Sequence, residues 1–303
     1  MSVHLARRTP STMTPTTPTT RPRVPTARRV DATRASSRTR ALDHESSESS
    51  FADAVAGEWI GHCASFDPRT GDASSLPSHL IPDAFREWGM EVKDWQSQCS
   101  TTTRDDGTLY VKDARFVPVV GCEADASTVE SYERDTIVVA SASTEAWGGY
   151  SACYEDEKGA ETVTHCVIVA EATPAPIRVR MKHRADGFGV VRIWREALDE
   201  PFCDGGSLAS SCGGNSAVAK FAEYPPDAAD VVSRVDAAFT LPPDAIALPA
   251  GIWFTVTADE TNGSYASTLG YAHEATGTHV ISSRARATAD ESAAVASLER
   301  RHS

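Results

Sequence analysis

The stretch GEWIGHCASFDPRTG, residues 57–71, decides how the rest of the chain is read. Behind a Gly-x-Trp, the apolar side chains Trp59, Ile60, Cys63, Ala64 and Phe66 recur in near-alternation until Asp67-Pro68 supplies a turn. A period of two puts successive side chains on opposite faces, the mark of a strand with one face buried. The folded part of the chain therefore opens on a β-strand.

Working downstream, the same enrichment in Val, Ile, Thr, Tyr and Trp predicts strands over 91–103, 108–117, 128–142, 149–154, 161–171, 177–183 and 189–196. Between them stand RDDG, DEKG, ATPAP and RADG, which carry the Gly, Pro or Asp that tight reversals need. Eight strands in sequence leave two raw edges, and an up-and-down barrel removes them by closing the sheet. IPDAFREWG (81–89) reads as a short helix that caps one mouth. Residues 201–232 read as a loop connection. Over 233–303, strands are expected at 234–241, 252–258, 264–274 and 278–286, with a short helix at 290–301. These later strands either complete the first barrel or form a second sheet; the reading adopted is a mainly β protein, a barrel over 51–200 with a C-terminal β extension.

Upstream the composition changes. Residues 1–42 hold nine Arg, no Lys and one acidic residue, Asp31, among Thr, Ser, Pro and Ala. So little apolar surface cannot offset the entropy of ordering the chain, and residues 1–50 are expected to be disordered. An Arg- and hydroxyl-rich, acid-poor leader is the composition of an organelle transit peptide. The prolines break any amphipathic Arg helix, which favours the chloroplast over the mitochondrion, with cleavage between about residues 40 and 50.

The whole chain carries −13; residues 1–42 contribute nine Arg against one Asp, so residues 43–303 carry −21. A body that acidic repels phosphate backbones, which makes nucleic acid an improbable partner. No run reaches the 18 or so apolar residues of a membrane span. The seven cysteines, Cys63, Cys99, Cys122, Cys153, Cys166, Cys203 and Cys212, contain no CxxC pair, so neither a zinc site nor a secreted disulfide framework is expected. Cys203 and Cys212 are the pair best spaced for a bridge.

Gly57-Glu58-Trp59 resembles the opening signature of lipocalins, in the calycin group. With PDAFREWGMEVKDWQSQC (82–99), VPVVGCEADAST (117–128) and HVISSRAR (279–286), the chain is similar to the plastid-type branch of the lipocalin-like family of unknown function of plants, algae and cyanobacteria. The resemblance implies a calycin barrel in a plastid or cyanobacterial setting, with no settled activity. It further implies that Trp59 plugs the closed end and that Arg284 or Arg286, from the last strand, stacks over it. Some cyanobacterial calycins are similar to S-type lyases that attach open-chain tetrapyrroles to proteins; this chain is longer and lacks their local motifs. A second Gly-x-Trp, Gly251 to Trp253, invites a duplicated barrel, but falls where the family runs through a late strand.

Aromatic faces inside a barrel bind flat apolar molecules. The expected ligand contacts are Trp95, Tyr110, Trp147, Tyr150, Arg180 and Trp194, with Tyr132 and Tyr154 also on strands; the alternative is plain core packing. Arg178, Arg180 and Lys182 alternate onto one face, either a ligand-carboxylate stripe or a solvated strand face. Arg192 with Arg195 invites the same two readings. No GxSxG, HExxH, Walker or GxGxxG motif occurs. For catalysis the candidates are Glu123, Asp125 and Cys122, in a loop that can line a mouth or simply turn the chain; His62 and His165 are the remaining pair. The expected function is a plastid binding protein for a tetrapyrrole, carotenoid or lipid derivative, with no other cofactor and no metal. The alternatives are a chromophore lyase or isomerase, and an assembly factor with a solid barrel and a protein partner.

Overall fold

The computed structural model describes residues 51–81, 83–116, 129–199, 218–222, 228–235, 239–259, 261–288 and 295–302, all within the unit formed by residues 47–303. The leader, the loop with Cys122, Glu123 and Asp125, and the Cys203 and Cys212 pair lie outside the described residues. So does the side chain of Tyr132.

Nine strands form one antiparallel sheet: β1 (Gly57–Phe66), β2 (Trp95–Thr103), β3 (Thr108–Phe116), β4 (Val129–Val138), β5 (Ser143–Thr144), β6 (Tyr150–Glu155), β7 (Glu161–Val169), β8 (Ile177–Arg184) and β9 (Val191–Asp199). Their order is β4-β3-β2-β1-β9-β8-β7-β6-β5. The opening strand thus lies between β2 and β9, with Trp59 facing Cys99 on one side and Leu198 on the other. This is the circular order of an up-and-down barrel, left open between β4 and β5. The sheet curls into a half-barrel rather than a sealed ring.

Two glycines let it curl. A Cβ at Gly57, where φ is +137°, would lie 2.6 Å from Leu198 Cδ1, and one at Gly61 would lie 2.1 Å from the Arg195 carbonyl oxygen. At Gly61 the β9 backbone crosses so closely that only a residue without a side chain fits, whereas at Gly57 the positive φ is what favours glycine.

A second antiparallel sheet holds β10 (Ile246–Leu248), β11 (Ile252–Asp259), β12 (Ser264–His273), β13 (Thr278–Arg286) and β14 (Val295–His302), in that order. It packs on the outer face of the first. Val167, Val179, Met181 and Ile193 meet Ile252, Phe254, Leu269 and Val280 in the largest apolar cluster. Each such side chain contributes about 1.5–3 kcal/mol when fully buried. The main hydrophobic core therefore lies between the sheets, and the inner face of the curl is left to other chemistry.

At one end of the curl, helix α1 (Phe51–Val55) brings Val55 against Trp59, Leu109, Ile137 and Tyr150. Trp59 sits in this plug. At the other end, the 67–94 connection, with helix α2 (Asp83–Glu87), packs Leu76, Ile81 and Val92 over Cys63, Trp95 and Trp194.

Of the two arrangements left open for the C-terminal strands, the structure has the second: they form a sheet of their own, and Trp253 lies on β11 within it. Two expectations need correction. Of the strand expected at 234–241, residues 236–238 lie outside the described residues and the described ones on either side are not in a strand; ahead of them helix α3 (Ala228–Ser233) packs Val231 against Trp253, and its Asp230 pairs with Arg234 four residues on. The expected tail helix is β14: its side chains alternate in exposure as an edge strand's do, and pairing with β13 overrides the helix propensity of Ala, Leu, Glu and Arg. The short strands β5 and β10 and the helix α1 had no strong periodic signal.

Candidate functional site

On β8, Ile177, Val179 and Met181 point to the sheet interface, so Arg178, Arg180 and Lys182 point into the curl. The stripe is not a solvated face. Arg178 is wholly buried: its Nε donates to Glu196 Oε2 at 2.9 Å and its Nη1 to Thr101 Oγ1 at 2.8 Å. Arg180 donates to both oxygens of Glu196 at 3.0 Å and, across the curl, to Asp113 Oδ2 at 3.0 Å. Lys182 donates to both oxygens of Asp135, at 2.7 and 3.0 Å. Arg192 donates to both oxygens of Glu133, at 2.7 and 2.6 Å, and Arg115 joins that carboxylate at 2.9 Å. A ladder of alternating charge thus climbs the interior from Trp59 to the open end.

Tryptophan rings cover its lower rungs. The Arg178 guanidinium lies 4.4 Å from the Trp59 ring centroid and that of Arg180 4.5 Å from Trp194. Cation–π contact of this kind is strongest where water is excluded. The cation over Trp59 is thus Arg178, not Arg284: Arg284 lies on β13 in the second sheet and donates to the Ser151 carbonyl. The residue over the signature tryptophan comes from a middle strand because β8, not the last strand, faces it.

The electrostatics follow from burial and pairing. Burial would raise the Asp113 carboxyl, but Arg180 beside it outweighs this and holds it low; Arg180 itself is held well above the usual guanidinium range. Burial likewise opposes Glu133, and Arg192, Arg115 and Lys182 together keep it low. At Asp135, burial wins over Lys182, and its carboxyl is raised. Burial pushes the Cys63, Cys99 and Cys166 thiols up to about 12, so none is a ready nucleophile or metal ligand. Cys99, Asp113 and Glu196 bring their ligand atoms within 4.8 Å of one another. Both carboxylates are already held by Arg180, which stands where a metal's charge would have to be.

The upper rungs open into a cleft of about 470 Å³, lined by Glu133, Asp135, Lys182 and Arg192 together with the β6–β7 turn (Asp156, Glu157, Lys158) and the β8–β9 hairpin (Phe188, Val190). Six cationic side chains line it against four carboxylates, on a body that carries −21 over residues 43–303. Phe188 and Val190 are 54% and 42% exposed on its rim.

None of the six expected ligand contacts lines this cleft. Trp95, Arg180 and Trp194 lie on the inner face beneath it, and Tyr150 packs edge-on to Phe51 in the plug at the far end. Tyr110 is on the outer face, under Arg104, because Leu109, Val111 and Asp113 take the inner positions of β3. Trp147 packs against the inter-sheet cluster. Arg192 points inward and Arg195 outward, an odd spacing on one strand. His62 and His165 are three strands apart, at about 4.8 Å per step, and make no common site. Sequence reasoning missed Asp113, Glu133, Asp135 and Glu196, although each sits at an inward-parity position of its strand.

His165 instead joins the two sheets. Its ring nitrogens meet Ser282 Oγ at 2.8 Å and Ser267 Oγ at 2.9 Å, and its ring stacks 6.5 Å from that of His183. Burial, then His183 and Arg284, hold His165 well below the usual imidazole range. Burial also lowers His183 to about 4, against the opposing pull of the Arg184 carbonyl and Asp186.

Among the described residues no helix is long and apolar enough to cross a membrane. No protein-family model and no curated protein matches this chain. It is similar in fold to a solved structure from Nostoc punctiforme, a protein of unknown function of the DUF3598 family. The identity is 10% and the TM-score 0.39, over 84% of this chain and 97% of that one.

Proposed function

We propose that this protein binds a small amphipathic molecule bearing an acidic group, and holds it in the cleft at the open end of the half-barrel rather than in the middle of the curl. The observation that carries this reading is the cationic excess of the cleft on an otherwise acidic body, next to the apolar rim of Phe188 and Val190. Arg and Lys recognise carboxylates by charge-assisted hydrogen bonds, and the rim covers the apolar part. Of the ligand classes drawn from the resemblance to plastid-type lipocalin-like proteins, this chemistry favours a tetrapyrrole with its carboxylates, then a lipid acid, over a carotenoid hydrocarbon. The leader, in this reading, directs the chain to the plastid.

The test is titration of the full chain with a bilin, a porphyrin dicarboxylate and a long-chain fatty acid, followed by tryptophan fluorescence. Saturable quenching is expected, weakened by roughly tenfold in Arg192→Gln, the loss of about one charge-assisted contact. The dimethyl ester of the same porphyrin should bind far less well. Equal binding of acid and ester, or no saturable signal, overturns the reading. The filled interior favours a second reading, an assembly factor that binds a protein and no small molecule; a stable complex with unchanged tryptophan fluorescence in every titration would select it.

A further inference from the structure

Seven large apolar side chains are well exposed among the described residues, and four of them gather at one end: Trp88 (62%), Met90 (46%), Phe188 (54%) and Val190 (42%). Trp88 and Met90 follow α2 in the β1–β2 connection, and Phe188 and Val190 form the β8–β9 hairpin. The two segments leave paired strand ends, since Phe66 faces Val191 in the β1–β9 ladder. Both therefore project beyond the same end of the curl, and Phe188 and Val190 also line the cleft. Single exposed apolar residues are ordinary, but a group containing Trp, Met and Phe at protruding tips marks an interaction surface.

Charge narrows the partner. At this end the cleft lining has six cations and four carboxylates, the 67–94 connection adds three and six, and the hairpin adds Asp186, so nine face eleven. Residues 43–303 together carry −21. The described residues at the apolar end are thus close to balance, whereas the body as a whole is strongly repelled by anything acidic. Among the described residues this end carries no marked surplus of either sign to draw a basic or an acidic protein surface. Tryptophan, with an apolar ring and a polar N–H, is the side chain that settles at the boundary of lipid and water.

We propose that this end of the protein seats on the surface of a neutral lipid bilayer, with Trp88, Met90, Phe188 and Val190 in the interfacial layer and the cleft opening onto the headgroups. The inference shares Phe188 and Val190 with the ligand reading but stands without it, because Trp88 and Met90 lie outside the cleft lining and vesicle binding makes no use of what the cleft holds.

Flotation of the full chain with phosphatidylcholine vesicles tests it. Binding is expected, and expected to survive about 0.5 M salt, since apolar insertion is not screened. Vesicles with bromine-labelled acyl chains should quench part of the tryptophan emission, and Trp88→Phe should remove that quenching while leaving flotation in place, because the other described tryptophans are buried or packed. The double variant Trp88→Ser with Phe188→Ser should lower partition by roughly tenfold or more. Failure of the wild-type chain to float overturns the proposal. So does binding confined to acidic lipid and lost in salt, quenching that persists in Trp88→Phe, or a double variant that floats like the wild type with an unaltered circular dichroism spectrum.

Discussion

The stacked pair His165 and His183 should make the joint between the two sheets acid-sensitive well above the pH at which the carboxylates protonate. His183 is 4% exposed, and burial lowers its folded-state value to about 4 against an ordinary 6.5. A group depressed in the folded state leaves stability intact above its unfolded value. As pH falls below 6.5 the unfolded chain takes up the proton first, and stability is lost until the folded value near 4 is reached. Across that window the difference is worth about 3 kcal/mol, and about 2 kcal/mol of it is gone by pH 5. His165 is displaced in the same direction, so it adds to the decline. Urea denaturation of the full chain, followed by tryptophan fluorescence at several pH values between about 7.5 and 5, measures this directly. His183→Gln should be less steep than the wild type by about 2 kcal/mol over that range. A wild-type stability that is flat between these values, or a variant that keeps the full slope, would refute the reasoning.

Other outcomes follow from the same geometry. Glu196→Gln leaves Arg178 and Arg180 buried with half their counter-charge removed, and should cost about 3–5 kcal/mol in a denaturant titration. The paired replacement Arg180→Met with Asp113→Leu should cost clearly less than the sum of its singles, because neither charge is then left alone. Gly57→Ala, at φ +137° and 2.6 Å from Leu198 Cδ1, should cost about 1–3 kcal/mol by thermal melting. Cys63, Cys99 and Cys166, all fully buried, should react with a thiol reagent only at the rate of global unfolding, as mass spectrometry of labelled peptides would reveal.

Much of the sheet was readable because it obeys a period of two. β1 and β13 have the bounds that their alternation predicts, and most other strands of the first sheet begin and end within a few residues of theirs. What alternation does not carry is which face is which. On β8 the sequence IRVRMKH sets apolar against basic residues, and the usual inference puts the basic set in water. Here a second sheet covers the outer face with Ile252, Phe254 and Leu269, so the apolar set turns outward and the cations turn in. The same inversion hid Asp113, Glu133, Asp135 and Glu196, acidic residues that ordinarily mark a solvated face. It also displaced the aromatic prediction, since Tyr110 and Trp147 face away from the curl. β14 was missed for another reason: its composition favours a helix, and only the open edge of β13 makes it a strand.

The place of β1 between β2 and β9 has a consequence for how the protein comes into being. Glu58 pairs with Asp199, so the seam joins positions separated by 140 or so residues along the chain. A polypeptide emerging from the ribosome can form the hairpins from β1 to β4 early, but its first strand waits with one row of amides and carbonyls unpaired until β9 has been made. Long-range closure of this kind slows folding and prolongs exposure of a sticky edge. Synthesis of this protein should therefore lean on chaperones that shield nascent strands, and a ribosome stalled before β9 should yield a chain that associates with its neighbours instead of a half-built domain.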